Sequence, residues 1–320
     1  MSARQLARLG LVFLALVLLW GAAALTRRAG GSAGSHDSLT LPPVARNAVD
    51  TVTLVKGSDT TVLARIDSSH WTANGHPASM SAVGELLDAL ADTTRSSDLV
   101  AEQRSTQASL GVDSTGGTHA WARGHGRTLL EVIAGNRAAD FSGGYLRLPN
   151  QDRTWEVQGR LVESLTRSPD GWRDHRIAAV ADDSVGTIEV SRGAWRYTLR
   201  REGKGWTLAP GGAADTAAVT QLLEASRTVE ATGFASPAQA DSARFAPPDR
   251  RTRLLRKDGT AIITLLFDST AAGYWVKADT GRTIYRMDGY SVDRLTPADS
   301  TLRKQKPAPV RVIPDQPAGH

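Results

Sequence analysis

The chain has 320 residues, of which 41% are hydrophobic and 22% charged, and it contains no cysteine. The formal charge of +5 comes from the two ends, residues 1–28 and 303–320, and the body between them is close to neutral. This composition excludes disulfide frameworks and thiolate metal sites. It also gives no indication of nucleic-acid binding, which requires a basic surface.

An uncharged apolar segment begins near the N-terminus. Residues 9–25 read LGLVFLALVLLWGAAAL and follow Arg4 and Arg8, a pattern that is typical of a membrane-targeting segment. We predict a cytoplasmic stub over residues 1–8 and an uncleaved transmembrane signal-anchor over residues 9–26. A cleaved signal peptide is the alternative, because the alanines near the end of the segment resemble a cleavage site.

Two segments without an apolar period flank the body of the chain. Residues 27–48 are rich in Gly, Ser and Pro and predict a flexible linker. Residues 303–320 contain several prolines and an excess of basic side chains, and they predict a disordered, Pro-rich basic tail. The folded part of the chain should therefore lie between these two segments.

The body of the chain repeats itself at an interval of about 136 residues. VTLVKG, from Val52, matches IEVSRG, from Ile188, and the alternating apolar residues ending in Gly predict a strand and a turn in both copies. SMSAVGELLDA, from Ser79, matches DTAAVTQLLEA, from Asp215. Because Ser79 and Asp215 stand at an N-cap position before an apolar stripe of helical period, each copy should contain one principal helix.

The second half of each copy indicates hairpins. RGHGRTLLEV, from Arg123, matches RKDGTAIITL, from Arg256, and Asp-Gly between apolar runs favours a type I′ turn with positive φ at both central residues. We predict an α+β protein with two tandem, internally duplicated domains, mainly antiparallel sheets and one principal helix each, after the membrane helix. The first repeat domain covers residues 49–167, the inter-repeat connector 168–184 and the second repeat domain 185–302.

Candidate metal ligands are few. His119 and His125 have a His-x5-His spacing, but no third ligand accompanies them, and a metal site requires at least three protein ligands. In the repeat, His125 occupies the turn position that Asp258 takes in the second copy. We therefore favour structural roles for both histidines and predict no metal site and no cofactor.

Aromatic and acidic residues offer further candidates. Trp71 and Trp206 recur at the same place in both copies and suit glycan stacking, but a packing role is favoured because Trp buries a large apolar area. Tyr145 and Tyr274 receive the same interpretation. Two acid pairs lie on polar helix faces or in loops: Asp88 with Asp92, and Asp182 with Asp183. Because nothing brings these acids together, we predict no catalytic residue and a protein that is not an enzyme.

The connector contains the most polar cluster, in the stretch SPDGWRDHRI. An Asp and a His that are adjacent in sequence usually point their side chains apart, so Asp174 and His175 do not imply a catalytic dyad. We predict instead a salt-bridged joint, with Trp172 wedged between the two domains and Arg173 or Arg176 paired with acids.

The order of these motifs resembles a known family. The residues that carry the resemblance are the W-T and V-x-x-L-L motifs of both copies (Trp71, Val83, Leu86, Leu87; Trp206, Val219, Leu222, Leu223), SLGVD at 109–113, IAGN at 133–136, GGYLRL at 143–148 and GWRDHRI. Over about residues 49–295, the chain is similar to a bacterial family catalogued as domain of unknown function 4340.

The resemblance implies a membrane-anchored protein with a duplicated extracytoplasmic region and brings no catalytic residues. It places the chain among envelope proteins, some of which resemble components encoded beside ABC-transporter permeases of the gliding-motility type. We expect a single-pass protein of the bacterial inner membrane, with the bulk of the chain extracytoplasmic. It should act as a non-enzymatic scaffold or accessory subunit with a membrane or envelope protein partner. An envelope glycan- or peptidoglycan-binding or hydrolytic protein is the alternative.

Overall fold

The computed structural model describes residues 38–304. The predicted stub and signal-anchor, the first part of the linker and nearly all of the tail lie outside the described residues. Within 38–304, no helix is long and apolar enough to cross a membrane. The described residues up to Arg173 form one compact unit, and those from Asp174 form another. We call them the first and second units.

The described part of the first unit is one antiparallel sheet with two helices. Its strands are hydrogen-bonded in the spatial order β4-β3-β2-β1-β6-β7-β8-β9-β5. The elements, in chain order, are β1 Thr51–Lys56, β2 Asp59–Arg65, β3 Trp71–Ala73, β4 His76–Pro77, α1 Met80–Ala91, β5 Ser97–Ala101, β6 Thr118–Gly124, β7 Arg127–Arg137, β8 Gly143–Arg147, β9 Thr154–Gln158 and α2 Leu161–Leu165.

The second unit contains a second large sheet. Its elements are β10 Arg176–Ala179, β11 Thr187–Arg192, β12 Trp195–Glu202, β13 Gly205–Ala209, β14 Gly212–Ala213, α3 Thr216–Arg227, β15 Thr228–Glu230, β16 Gly233–Phe234, α4 Pro237–Ser242, β17 Arg250–Leu255, β18 Ala261–Thr270, β19 Gly273–Ala278, β20 Tyr285–Met287, α5 Gly289–Leu295 and α6 Asp299–Leu302. The sheet order is β14-β13-β12-β11-β17-β18-β19-β20-β16, and β10 pairs separately with β15.

The two nine-stranded sheets have the same strand order, element for element. The prediction of an α+β protein with mainly antiparallel sheets is therefore confirmed. The interval of 136 residues holds in the register, because Val52 pairs with Leu63 in the first unit and Ile188 pairs with Leu199 in the second. All four side chains are buried, so the alternation that predicted these strands marks the core face of each sheet.

The principal helices begin at the predicted N-caps. The Ser79 hydroxyl accepts a hydrogen bond from the amide of Ala82, and the Asp215 carboxylate accepts one from the amide of Ala218, at 3.4 and 3.0 Å. These acceptors satisfy amides that have no partner within the helix. The apolar stripes of α1 and α3 lie in the cores of their units: Val83, Leu86, Leu87 and Leu90; Val219, Leu222 and Leu223.

We expect Asp215→Ala to lower the free energy of unfolding by about 1 kcal/mol, because it removes the N-cap acceptor of α3. Asp215→Asn keeps an acceptor oxygen and serves as the matched control. Urea unfolding followed by far-ultraviolet circular dichroism measures both variants. Equal losses for Ala and Asn would show that the cap does not stabilise the helix.

Part of the predicted linker, residues 38–48, packs against the first unit. The amide of Leu39 donates to the hydroxyl of Ser97 at 2.7 Å, and the amide of Val44 donates to the carbonyl of Leu90 at 3.2 Å. Val44 is only 4% exposed. These apolar side chains cover the core of the first unit, so this stretch differs from the flexible linker that its composition indicated.

The predicted type I′ turns differ between the copies. In the first, His125 and Gly126 have φ of 51° and 74°, as such a turn requires. In the second, Gly259 has a positive φ and Asp258 does not, so the prediction for that turn was wrong. The Asp258 carboxylate accepts from the amide and hydroxyl of Thr260, at 2.9 and 2.7 Å, and this local bonding selects a different turn.

Candidate functional site

The polar stretch of the connector divides between the two units. The Asp174 carboxylate accepts from the amide of Arg176 at 3.0 Å, and its other oxygen lies 3.5 Å from the Arg176 guanidinium. The Nδ1 atom of His175 lies 3.0 Å from the carbonyl oxygen of Ala231. The imidazole ring contacts the Phe234 ring edge-on, with 4.8 Å between the ring centres. In these bonds, Asp174 and His175 contact different residues.

We expect His175→Asn to reduce stability by no more than about 1 kcal/mol, the usual size of an aromatic contact. The Asn amide can donate to the Ala231 carbonyl as the ring nitrogen does, so the ring contact is the main loss. Thermal unfolding measures the change, with His175→Ala as the comparison that removes both contacts. A larger loss for Asn than for Ala would contradict this account.

Trp172 is a core residue of the first unit. It is fully buried in the hydrophobic cluster of that unit, and its carbonyl accepts from the amide of Ser79 at 2.8 Å. The Arg167 guanidinium lies 5.2 Å from the ring centre and donates to Glu85 at 2.7 Å. The prediction that Trp172 is wedged between the two domains was therefore wrong, because the turn at Pro169–Trp172 directs the ring back into the first unit.

Trp71 and Trp206 are 4% and 7% exposed, so the favoured packing role is confirmed. An arginine lies over each ring, Arg65 over Trp71 and Arg201 over Trp206, with guanidinium carbons 5.0 and 4.8 Å from the ring centres. Such stacking is a favourable cation–π contact. We call each of these pairs an Arg–Trp clamp.

Each clamp fastens the backbone that leads into its sheet. The Arg65 guanidinium donates to the carbonyl oxygens of Val49 and Arg46, at 2.9 and 2.6 Å. The Arg201 guanidinium donates to those of Val185 and Asp182, also at 2.9 and 2.6 Å. Sequence reasoning missed these residues. The signal was present, because Arg65 and Arg201 are separated by the repeat interval of 136.

Of the two histidines considered as metal ligands, His119 lies near the start of β6 and His125 directly follows its end. At the rise of a strand, six residues separate them by about 20 Å. His119 Nε2 lies 2.9 Å from a Glu131 oxygen, and its ring stacks on Trp121 at 3.7 Å. His125 lies in the turn, where its amide donates to Asp50 at 2.8 Å. Residues 38–304 contain no group of three or more potential His, Cys, Asp or Glu ligands.

Three of the four candidate acids have separate partners. Asp88 pairs with Arg46 and Asp182 with Arg227, both at 2.6 Å, and Asp92 accepts from the amide of Thr94. These bonds stabilise turns and helix surfaces, and none of them joins one of these acids to another.

The two tyrosines do not occupy equivalent positions. Tyr145 pairs with Glu156 across β8 and β9, and the corresponding pair in the second sheet is Trp275 with Arg286. Tyr274 is one residue away, and it lies on the opposite sheet face beneath the Arg250 guanidinium, at 4.8 Å. A shift of one residue reverses the face of a strand side chain, so the assumed equivalence was wrong.

Each sheet has a second face, opposite its core face, which we call the outer face. In the first unit, Thr53 pairs with Val62 on one side and with Trp121 on the other, and Val55 pairs with His119. These five side chains are half-buried. The first outer face therefore combines an aromatic ring and two aliphatic side chains with small polar residues.

The second outer face is basic. Ser191 pairs with Arg196 on one side and Arg251 on the other, and Glu189 pairs in register with Arg253. Arg200 is on the same face, opposite Thr187. Four arginines thus surround one acid. They stand where the first copy has Thr60, Ala64, His119 and Trp121.

A recess of about 360 Å³ opens beside the first outer face. Its lining includes Arg104, Gln107, His119 and Arg147. The Arg147 guanidinium donates to the carbonyl of Val112 at 2.6 Å. Burial lowers the pKa of Arg147, and the nearby charge of Arg104 lowers it further. The recess offers guanidinium, amide and imidazole groups to a polar ligand.

These features define a protein built from two copies of one antiparallel sheet, with similar cores and different outer faces. A family model described as a domain of unknown function (DUF4340) matches residues 71–249, more than half of the chain. The chain therefore belongs to this family, as the motifs indicated. No curated protein and no solved structure was found to match it.

Proposed function

We propose that this protein is a membrane-anchored, extracytoplasmic scaffold or accessory subunit that binds a membrane or envelope protein through the first outer face. The apolar segment at 9–26 in the sequence supports the anchor and the inner-membrane location. The resemblance of some of these envelope proteins to components encoded beside ABC-transporter permeases supports a partner of that kind. The observation that carries the proposal is the composition of the first outer face.

The first outer face has the anatomy of a protein interface. Trp121 lies between Thr53 and Glu131 in the strand register, and Val55 and Val62 supply aliphatic surface on the neighbouring strands. Interfaces concentrate binding energy in aromatic residues near their centre and place polar residues around them. The partner expected here presents apolar side chains with a polar rim.

The central ring is fixed before binding. His119 stacks on Trp121 and hydrogen-bonds to Glu131, so all three side chains have defined positions. Pre-ordered side chains lose less conformational freedom on association. This favours a binding role for His119 over a catalytic or metal-binding one.

Crosslinking in native membranes tests the proposal. Because the chain contains no cysteine, Val62→Cys carries a single photo-crosslinker on the first outer face, and Thr198→Cys carries it at the matching position of the second. We expect one defined protein partner from Val62→Cys, and loss of that product when Trp121→Ala is added. A product that persists without Trp121, or the same product from Thr198→Cys, would overturn the proposal.

The recess beside Arg104 favours a second function, binding or hydrolysis of an envelope glycan. Its guanidinium and amide groups suit the hydroxyl and carboxylate groups of peptidoglycan fragments. Co-sedimentation with purified cell-wall material tests this function. Binding that Arg104→Gln abolishes and Trp121→Ala leaves intact would favour the glycan over a protein partner.

A further inference from the structure

We propose that the second outer face binds the surface of a bilayer that contains anionic phospholipid. We define the basic face as Arg196, Arg200, Arg251 and Arg253. The proposal rests on the proposed function in one respect, that the chain is held at a membrane.

Strand pairing places the cations of the basic face in a regular row. Arg196, Ser191 and Arg251 are neighbours across three adjacent strands, and the row continues through Leu266 to Lys277. With strands about 4.8 Å apart, the three cations follow at about 10 Å intervals and span about 19 Å. A row of this kind suits a surface that carries many negative charges.

The arginines of the basic face are poorly compensated. Glu189 lies 3.5 Å from the Arg253 guanidinium, whereas Arg196, Arg200 and Arg251 are exposed and form no ion pair with any residue of 38–304. Like charges on one sheet face repel. An anionic surface removes this repulsion and releases its own counterions.

The side chains between the arginines disfavour a protein partner. Ser191, Thr187 and Thr198 lie among the four arginines, and they offer no aromatic or aliphatic anchor to a partner. The aliphatic residue of the row, Leu266, lies outside the four arginines and is half-buried. Protein interfaces have an apolar centre from which charged residues are depleted. The basic face has the reverse arrangement, with charges at its centre and small polar groups between them.

The basic face is not a requirement of the fold. The first copy has the same strands and register, yet it carries threonine, alanine, histidine and tryptophan at the four positions. Its core residues remain similar to those of the second copy. The arginines therefore reflect what this face binds rather than what the sheet needs to fold.

A single fluorescent label tests the proposal on the full chain. Thr198→Cys places an environment-sensitive dye within the basic face, and Val62→Cys is the matched position of the first unit. Vesicles are made of phosphatidylcholine alone or with phosphatidylglycerol. With vesicles that contain phosphatidylglycerol, we expect a blue shift of the dye emission at Thr198→Cys and none at Val62→Cys. With phosphatidylcholine alone, we expect no such shift at either position. The blue shift should disappear as salt rises from about 0.1 M to about 1 M, where the Debye length falls from about 10 Å to about 3 Å.

Charge removal completes the test. Arg196→Gln with Arg251→Gln should weaken the phosphatidylglycerol response about 30-fold, since each arginine near an anionic surface contributes roughly a factor of five. Arg123→Gln with Arg127→Gln removes the same charge from two exposed arginines of the first unit and should leave the response unchanged. Circular dichroism confirms that both remain folded.

Three results would overturn the proposal: equal shifts at both labelled positions, a shift that does not depend on phosphatidylglycerol, or photo-crosslinking of Thr198→Cys to a protein in place of lipid. Alkali extraction reports separately whether the chain is anchored. Failure of the basic face is thus distinguishable from failure of the proposed anchor or of partner binding by the first outer face.

Discussion

Trp172→Ala should lower the free energy of unfolding of the first unit by about 3–5 kcal/mol, the usual cost of removing a buried Trp or Phe ring. Trp172 is fully buried and packs in the same cluster as α1 and α2. Truncation leaves a cavity beside the start of α1 and removes the ring on which Arg167 stacks. The loss should appear in the first unit.

Hydrogen exchange measured by mass spectrometry locates the effect. We expect α1 to lose protection in Trp172→Ala while α3 of the second unit keeps it. Trp172→Phe is the control, because the indole nitrogen has no hydrogen-bond partner among the described residues and the change deletes no hydrogen bond. Trp172→Phe should lower the free energy of unfolding by less than about half as much as Trp172→Ala does. Equal loss of protection in α1 and α3 would restore the interpretation of Trp172 as a wedge between domains.

Arg201→Lys should destabilise the second unit by about 2 kcal/mol, because it removes a planar group that makes two charge-assisted hydrogen bonds and stacks on Trp206. Lysine keeps the charge but has no rigid fork to reach both the Val185 and Asp182 carbonyls. Arg65→Lys should have a similar effect on the first unit.

The neighbouring Arg200 provides a close control for the clamp. It lies on the same strand as Arg201, and its side chain is exposed on the outer face. Arg200→Lys should change stability by less than about 0.5 kcal/mol, as is usual for surface positions. Urea unfolding of the two variants measures the difference. Equal stabilities for Arg200→Lys and Arg201→Lys would show that the clamp contributes nothing.

Local patterns predicted the elements of the fold well. The alternation around Val52 and Ile188, the caps at Ser79 and Asp215, and the repeat interval all depend on residues that are close in sequence. The structure confirms each of them. The turn at Asp258 was missed because a side-chain hydrogen bond to Thr260 outweighs the usual conformation of an Asp-Gly turn.

The two outer faces could not be predicted in the same way. Arg196 and Arg251 are far apart in the chain, and only the pairing of both with Ser191 brings them to one row. The net charge of the body did not indicate a basic face, because acids elsewhere in the body balance these arginines. Trp172 was misplaced for a related reason, since its position in the connector does not reveal the turn that carries the ring into the first unit.

The shared register of the two sheets has an evolutionary consequence. In a pleated strand, every second residue faces away from the core, so a duplicated gene can change those codons while the buried ones stay under selection for stability. The two copies can therefore differ at the positions of Arg196, Arg200, Arg251 and Arg253 without repacking of either interior. Similarity between the two copies is therefore retained on the core face of each sheet, whereas their differences are concentrated on the outer faces.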